Sequence, residues 1–186
     1  MFQVAFHRLP ESQSTPSVEN KTMPIPTINM LNFCRSGEFG GLKLGQTKAH
    51  LAAYFPPPDS VYPEEPSAEC VIWRYGSIDL IFRGDELTNI YADGFPWGKL
   101  DAGSHIAIQP WIFKHPKKLR LAFVIKKLNF HGIDFRKKTF ALNTRLLLAS
   151  GVELYFENQS TPNNCDANKF VLTAFNLGAT PKDWAN

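Results

Sequence analysis

The sequence predicts an α+β fold in which one unit, a helix followed by an antiparallel meander, is used twice, with the helices packed on one face of an antiparallel sheet. Three observations predict it. Residues 70–75 (CVIWRY) and 78–82 (IDLIF) are β-branched and aromatic, and only Gly76-Ser77 separates them. A two-residue loop with glycine first suits a type II′ hairpin. Leu121, Val124, Ile125 and Leu128 recur at i, i+3, i+4 and i+7, the stripe of a helix lying on a core. The third observation is repetition: residues 78–82 match residues 152–156 (VELYF) position by position as apolar, acidic, Leu, apolar, Phe.

From the start of the chain, Val4 and Phe6 alternate and suggest an edge strand. Pro10, Pro16, Pro24 and Pro26 then fall among polar residues. Proline fixes φ and removes a donor, so residues 1–26 read as an extended arm. Thr27 is the N-cap candidate of a short helix carrying Ile28, Leu31 and Cys34, which Gly37 closes. Leu42 and Leu44 alternate in a short strand that stops at Gly45. Thr47 caps a second helix with Leu51, Ala52 and Phe55, and Pro56-Pro57-Pro58 ends it. After the hairpin comes a turn at 83–86 and a third strand at 87–93. Residues 95–115 contain Gly98, Gly103 and Pro110 and form a connection with a short strand at 106–108. Pro116 sits where the helix of the Leu121 stripe begins, and Gly132 stops it. Strands are expected around 133–135, 140–142, 145–149, 152–156 and 170–175, with 179–186 as a tail. The main domain spans 27–178, with repeat one at 27–94 and repeat two at 116–178.

The repeat extends beyond five residues. Each copy follows a glycine-containing turn, Gly76-Ser77 or Ser150-Gly151, and each precedes a Leu-Thr segment, Leu87-Thr88 or Leu172-Thr173. Strand alternation places Ile78, Leu80 and Phe82 on one face, as it does Val152, Leu154 and Phe156. Asp79, Ile81, Glu153 and Tyr155 point the other way. Two units side by side leave one sheet face for helices and the other open. An open face bearing aromatic and acidic residues is suited to gripping another protein. The candidate partner-binding residues are therefore the outward Asp79, Glu153 and Tyr155, with Tyr91, Asp93, Trp97 and Lys99 from the adjoining loop. Trp97, between Pro96 and Gly98, suits a core plug and a binding anchor equally. Trp111 reads as a plug between the halves.

Composition narrows the class. A chain of 186 residues with 44% apolar content buries enough surface to fold without a disulfide or metal. Cys34, Cys70 and Cys165 are odd in number and lack ligand spacing, so they read as idle thiols of a reducing compartment. The first residues lack a signal-peptide pattern, and no apolar run is long enough for a membrane helix, so a cytoplasmic protein is expected. Residues 1–104 carry eight Lys/Arg against twelve Asp/Glu, while residues 105–186 carry twelve against five. The basic stripe at 114–138 offers an alternative reading, a nucleic-acid-binding module, although the solvated side of a helix explains it more simply. No GxSxG elbow, phosphate loop, HExxH helix or EF-hand is present, and His7, His50, His105, His115 and His131 share no ligand spacing. The expectation is a protein that is not an enzyme and needs no cofactor.

The segments FGGLKLGQT (39–47), WRYGSIDLIF (73–82), 87–93 and SGVELYF (150–156) together resemble a bacterial family. Its members share a strand–LG–[ST]–helix segment, a W-K-Y-G-D-[IL]-E-F-x-F strand pair and an S-G-V-E-L-x-F segment in the second half. Some members look like immunity proteins that neutralise a toxin delivered between bacteria. The duplicated layout is similar to that of the β-lactamase inhibitor proteins. Ser77 departs from the family's acidic residue after the glycine, and the proline-rich arm is additional. The resemblance implies a cytoplasmic immunity protein whose partner is a cognate toxin, and it carries over no catalytic residue.

Overall fold

The computed structural model describes residues 25–63, 69–95, 98–115, 119–159 and 166–184. The expectations for Val4, Phe6, the arm before Ile25, Trp97 and Cys165 lie outside the described residues, and the helix expected to begin at Pro116 starts instead at Leu121, with Arg120 in extended conformation at its N-cap. In chain order the elements are β1 (Thr27–Asn29), α1 (Met30–Ser36), α2 (Lys48–Tyr54), β2 (Ser60–Tyr62), β3 (Cys70–Tyr75), β4 (Ile78–Arg83) and β5 (Glu86–Ala92). They continue with β6 (Ala107–Gln109), a 3-10 turn at Trp111–Lys114, α3 (Leu121–Phe130), β7 (Phe135–Thr139), β8 (Asn143–Leu148), β9 (Val152–Glu157) and β10 (Val171–Leu177). The fold is α+β. Eight strands form one antiparallel sheet in the order β2-β3-β4-β5-β10-β9-β8-β7, and β1 pairs with β6 in a small parallel ribbon.

The strand order reads as two four-strand meanders joined back to back through β5 and β10. At that seam Asn176 lies opposite Tyr91, Phe175 opposite Ala92 and Leu177 opposite Ile90. The sequence repeat aligns Ile90, Tyr91 and Ala92 with Phe175, Asn176 and Leu177. Exchanging the halves therefore maps the seam onto itself, as a two-fold axis through the Tyr91–Asn176 pair requires. The irregularities repeat as well. Both Leu-Thr segments form a bulge, at Thr88 against β4 and at Thr173 against β9. Thr88 donates its hydroxyl to the carbonyl of Ile81 at 3.1 Å, and Thr173 to that of Tyr155 at 3.3 Å. Ile81 and Tyr155 are themselves equivalent. In element order, β6 and its 3-10 turn hold the place in the second unit that β1 and α1 hold in the first.

The helices pack on one face. Ile78, Leu80, Phe82, Ile90, Val152, Leu154, Phe156, Phe175 and Leu177 are buried there with Phe33 of α1, Leu51 of α2 and Leu121, Val124 and Leu128 of α3. Phe175 sits centrally, its ring 5.2 Å from that of Phe33, 5.7 Å from Phe95 and 5.9 Å from Phe113. One core therefore serves both repeats. At the hairpin, φ is +57° at Gly76 and Ser77 is not among the residues of positive φ, which matches type II′ and excludes I′. A Cβ on Gly76 would lie 2.5 Å from the backbone nitrogen of Gly103.

Several elements differ from expectation. Thr27 belongs to β1, and the cap of α1 is Asn29, whose side chain accepts from the amide of Asn32. Thr47 does cap α2, accepting from His50, and Gly37 does close α1 at a φ of +73°. Leu42 and Leu44 form no strand: Phe39 and Leu42 bridge across a tight turn and Leu44 stays exposed. The two strands expected around 133–135 and 140–142 are a single β7 of sequence FRKKT. Its three consecutive cations hide the period-two pattern. They suit an edge, where charge blocks pairing with another chain. The opposite edge, β2, is short and escaped the sequence reading.

Candidate binding face on the sheet

The outer face of the sheet carries no α-helix among the described residues, and alternation decides what it displays. From one edge to the other it presents Ser60 and Tyr62, Ile72 and Arg74, Asp79 and Ile81, Asn89 and Tyr91, Ala174 and Asn176, Glu153, Tyr155 and Glu157, Arg145 and Leu147, then Arg136 and Lys138. Asn89 donates to Asn176 at 3.0 Å across the seam.

The chain covers the basic end of this face with its own residues 179–184. A 3-10 turn at Lys182–Trp184 lays the indole of Trp184 over β7, β8 and β9, leaving it 2% exposed. The guanidinium of Arg136, the ammonium of Lys138 and the guanidinium of Arg145 lie 5.4, 5.1 and 5.7 Å from the ring centre. Arg136 also donates to the backbone carbonyl of Trp184 at 2.7 Å, and Arg145 is paired with Asp183. Beneath the indole, Glu153 is 1% exposed. Its Oε1 accepts from Trp184 Nε1 at 2.8 Å and lies 3.3 Å from Arg145, while Oε2 accepts the Tyr155 hydroxyl at 2.6 Å. A buried carboxylate needs this saturation, because desolvation without partners costs several kcal/mol.

The expected contact residues therefore divide. Glu153 does point to the outer face, but it is an internal acceptor beneath Trp184 and offers nothing to a partner in this arrangement. Asp79 is held by a two-pronged pair with Arg74, at 2.7 and 2.8 Å, and that guanidinium in turn lies 5.3 Å from the Tyr62 ring. Lys99 is exposed in the loop after β5 and is not among the residues that line the depression described next. Trp97 lies outside the described residues. Trp111, expected to plug the two halves together, packs against the core and donates its indole N–H to His131 at 3.2 Å.

Tyr91, Asp93 and Tyr155 do come together. With Gly94, Glu157, Thr173 and Ala174 they line a depression of ≈ 320 Å³ on the seam. The Tyr91 hydroxyl donates to Asp93 at 3.1 Å. Its pKa is pushed up to about 12, by burial first and then by the charge and hydrogen bond of Asp93. Burial, reinforced by the hydrogen bond to Glu153, raises that of Tyr155 too. Both phenols are thus neutral donors, held at fixed angles on paired strands. Glu157 was not singled out from the sequence, yet it follows Tyr155 by two residues and so shares its face; strand period alone identifies it. A second depression of ≈ 300 Å³ shares the Tyr155–Glu157 wall and adds Phe140, Asn143 and Arg145.

Other chemistry is sparse. Among the described residues no group of three or more His, Cys, Asp or Glu is placed to hold a metal ion. Cys34 is buried, which pushes its thiol up to about 12, and Cys70 is exposed. No described helix is long and apolar enough to cross a membrane. The cations of 114–138 do not form one surface: Arg136 and Lys138 flank Trp184, whereas Lys126 and Lys127 lie on α3, packed against the other face. No family model, curated protein or solved structure matches the chain.

Proposed function

We propose that the chain is an immunity-type binding protein that neutralises a cognate bacterial toxin by covering the toxin's active site with the open part of its outer sheet face. The observation that carries this reading is the convergence of Tyr91, Asp93, Tyr155 and Glu157 around one depression on rigid, paired strands. Aromatic residues with fixed neighbours give large contact area at small entropic cost, the usual composition of binding hot spots. The edges support it too. Short β2 and triply charged β7 discourage pairing by strand addition, so a partner is met through side chains on the face. Location in the cytoplasm belongs to the same proposal, since an immunity protein meets its toxin where the toxin acts.

Co-expression with the product of the neighbouring gene tests the proposal. The expected result is rescue of growth and a stoichiometric complex on size exclusion, lost or weakened at least about tenfold by Tyr91→Ala or Tyr155→Ala. No rescue and no complex would overturn it. The rival reading, nucleic-acid binding through 114–138, predicts steep loss of DNA or RNA affinity with salt. The division of those cations between two faces does not favour it.

A further inference from the structure

The outer face is sorted by charge, and one end of it already shows what it accepts. Over Arg136, Lys138 and Arg145 the chain places its own indole and the carboxylate of Asp183. The tail is thus an occupant of opposite charge with an aromatic anchor. Among the described residues the seam end is uncovered and of opposite sign. Its depression contains Asp93 and Glu157 and no basic residue. Glu157 is exposed, its carboxylate makes no hydrogen bond or ion pair among the described residues, and the only bond to Asp93 from its own lining is the neutral hydroxyl of Tyr91. Beyond the shared Tyr155–Glu157 wall, the second depression turns apolar at Phe140, which is 44% exposed. Arg145 faces this second depression but is engaged by Glu153 and Asp183, and its guanidinium lies 5.0 Å from the Phe140 ring.

We infer that these adjoining depressions dock a protein segment presenting a lysine or arginine side chain to Asp93 and Glu157 and, beside it, an apolar side chain to Phe140. The segment continues the interface that the tail begins, with the charges reversed. Tyr91 and Tyr155 wall the cationic side chain and keep their protons, so they add aromatic faces and hydroxyls without adding charge. The inference rests on the reading of the open face as a protein-docking surface, and it names the partner's chemistry.

The test uses the full chain, isotopically labelled, titrated in NMR with the peptide acetyl-Gly-Leu-Arg-Gly-amide and with its Glu counterpart in place of Arg. The Arg peptide is expected to give saturable shifts at the amides of Asp93, Gly94, Glu157 and Ala174 that weaken with added salt. The Glu peptide is expected to give none. The double variant Asp93→Asn/Glu157→Gln should weaken the Arg peptide at least about tenfold while keeping the parent melting temperature, since both residues are exposed. Absence of saturable shifts, equal response to both peptides, or undiminished binding by the double variant would overturn the inference. A toxin neutralised equally well by the double variant would overturn it while upholding the proposed function. Peptide binding without toxin neutralisation would do the reverse.

Discussion

Glu153 and Trp184 define each other. The carboxylate is tolerable inside because an indole N–H, a phenol and a guanidinium saturate it, and the indole is held because cations line its ring. Replacing Trp184 with alanine removes a buried aromatic and opens that carboxylate to water. A loss of about 3 kcal/mol is expected in urea unfolding. Hydrogen exchange should rise locally in β8 and β9. A variant as stable as the parent would mean that the tail is an ornament. The tyrosines supply a pH signature. The folded chain holds the Tyr91 proton up to about 12, against an ordinary value of 10.0. The unfolded chain releases its proton first, so the contribution of Tyr91 to stability is complete below pH 10 and is lost as pH rises through the folded value. Tyr155 is raised in the same direction and steepens the fall. Urea midpoints followed across that alkaline range should decline less steeply for Tyr91→Phe than for the parent; parallel curves would contradict this.

At the level of elements, the bulges carry the repeat further than sequence identity does. Thr88 and Thr173 occupy equivalent positions and close equivalent bonds onto Ile81 and Tyr155. A bulge leaves an extra residue outside the ladder, and its hydroxyl restores a partner to a strand carbonyl. Thr88→Val and Thr173→Val are therefore expected to destabilise by similar amounts, about 1 kcal/mol each. Chemical unfolding of the two variants checks it, and a cost at one site alone would show that the duplication is geometric but not energetic. The bulge at Thr173 also has a bearing on binding, because Thr173 and Ala174 line the seam depression.

Over the whole molecule, the seam decides cooperativity. Phe175, from the second repeat, packs on Phe33 from the first, and a single apolar cluster runs beneath all the larger strands. Neither repeat closes a core alone. Unfolding is expected as one transition, coincident by tryptophan fluorescence and far-UV circular dichroism. Residues 25–95 expressed alone should show no cooperative transition, since β5 would then be an open edge. Independent folding of that fragment would divide the chain into two domains and remove the basis for a shared face.

Much of this was legible in one dimension. Strand period placed Ile78, Leu80, Phe82, Val152, Leu154 and Phe156 in the core and Tyr155 outside it, and turn chemistry identified the Gly76-Ser77 hairpin, because both depend on residues adjacent in the chain. The helix-packed α+β sheet and the copied meander followed from the same local rules. β7 was obscured because its alternation is carried by cations rather than apolar residues, and β2 because three residues hold no period. What only the tertiary structure decided was which outward residues remain available. Asp79 and Glu153 are on the face that the sequence assigned them, but a cross-strand arginine holds one and a tryptophan 31 positions away covers the other. Periodicity determines the direction of a side chain; what lies in that direction depends on where distant parts of the chain return, and no local pattern encodes that.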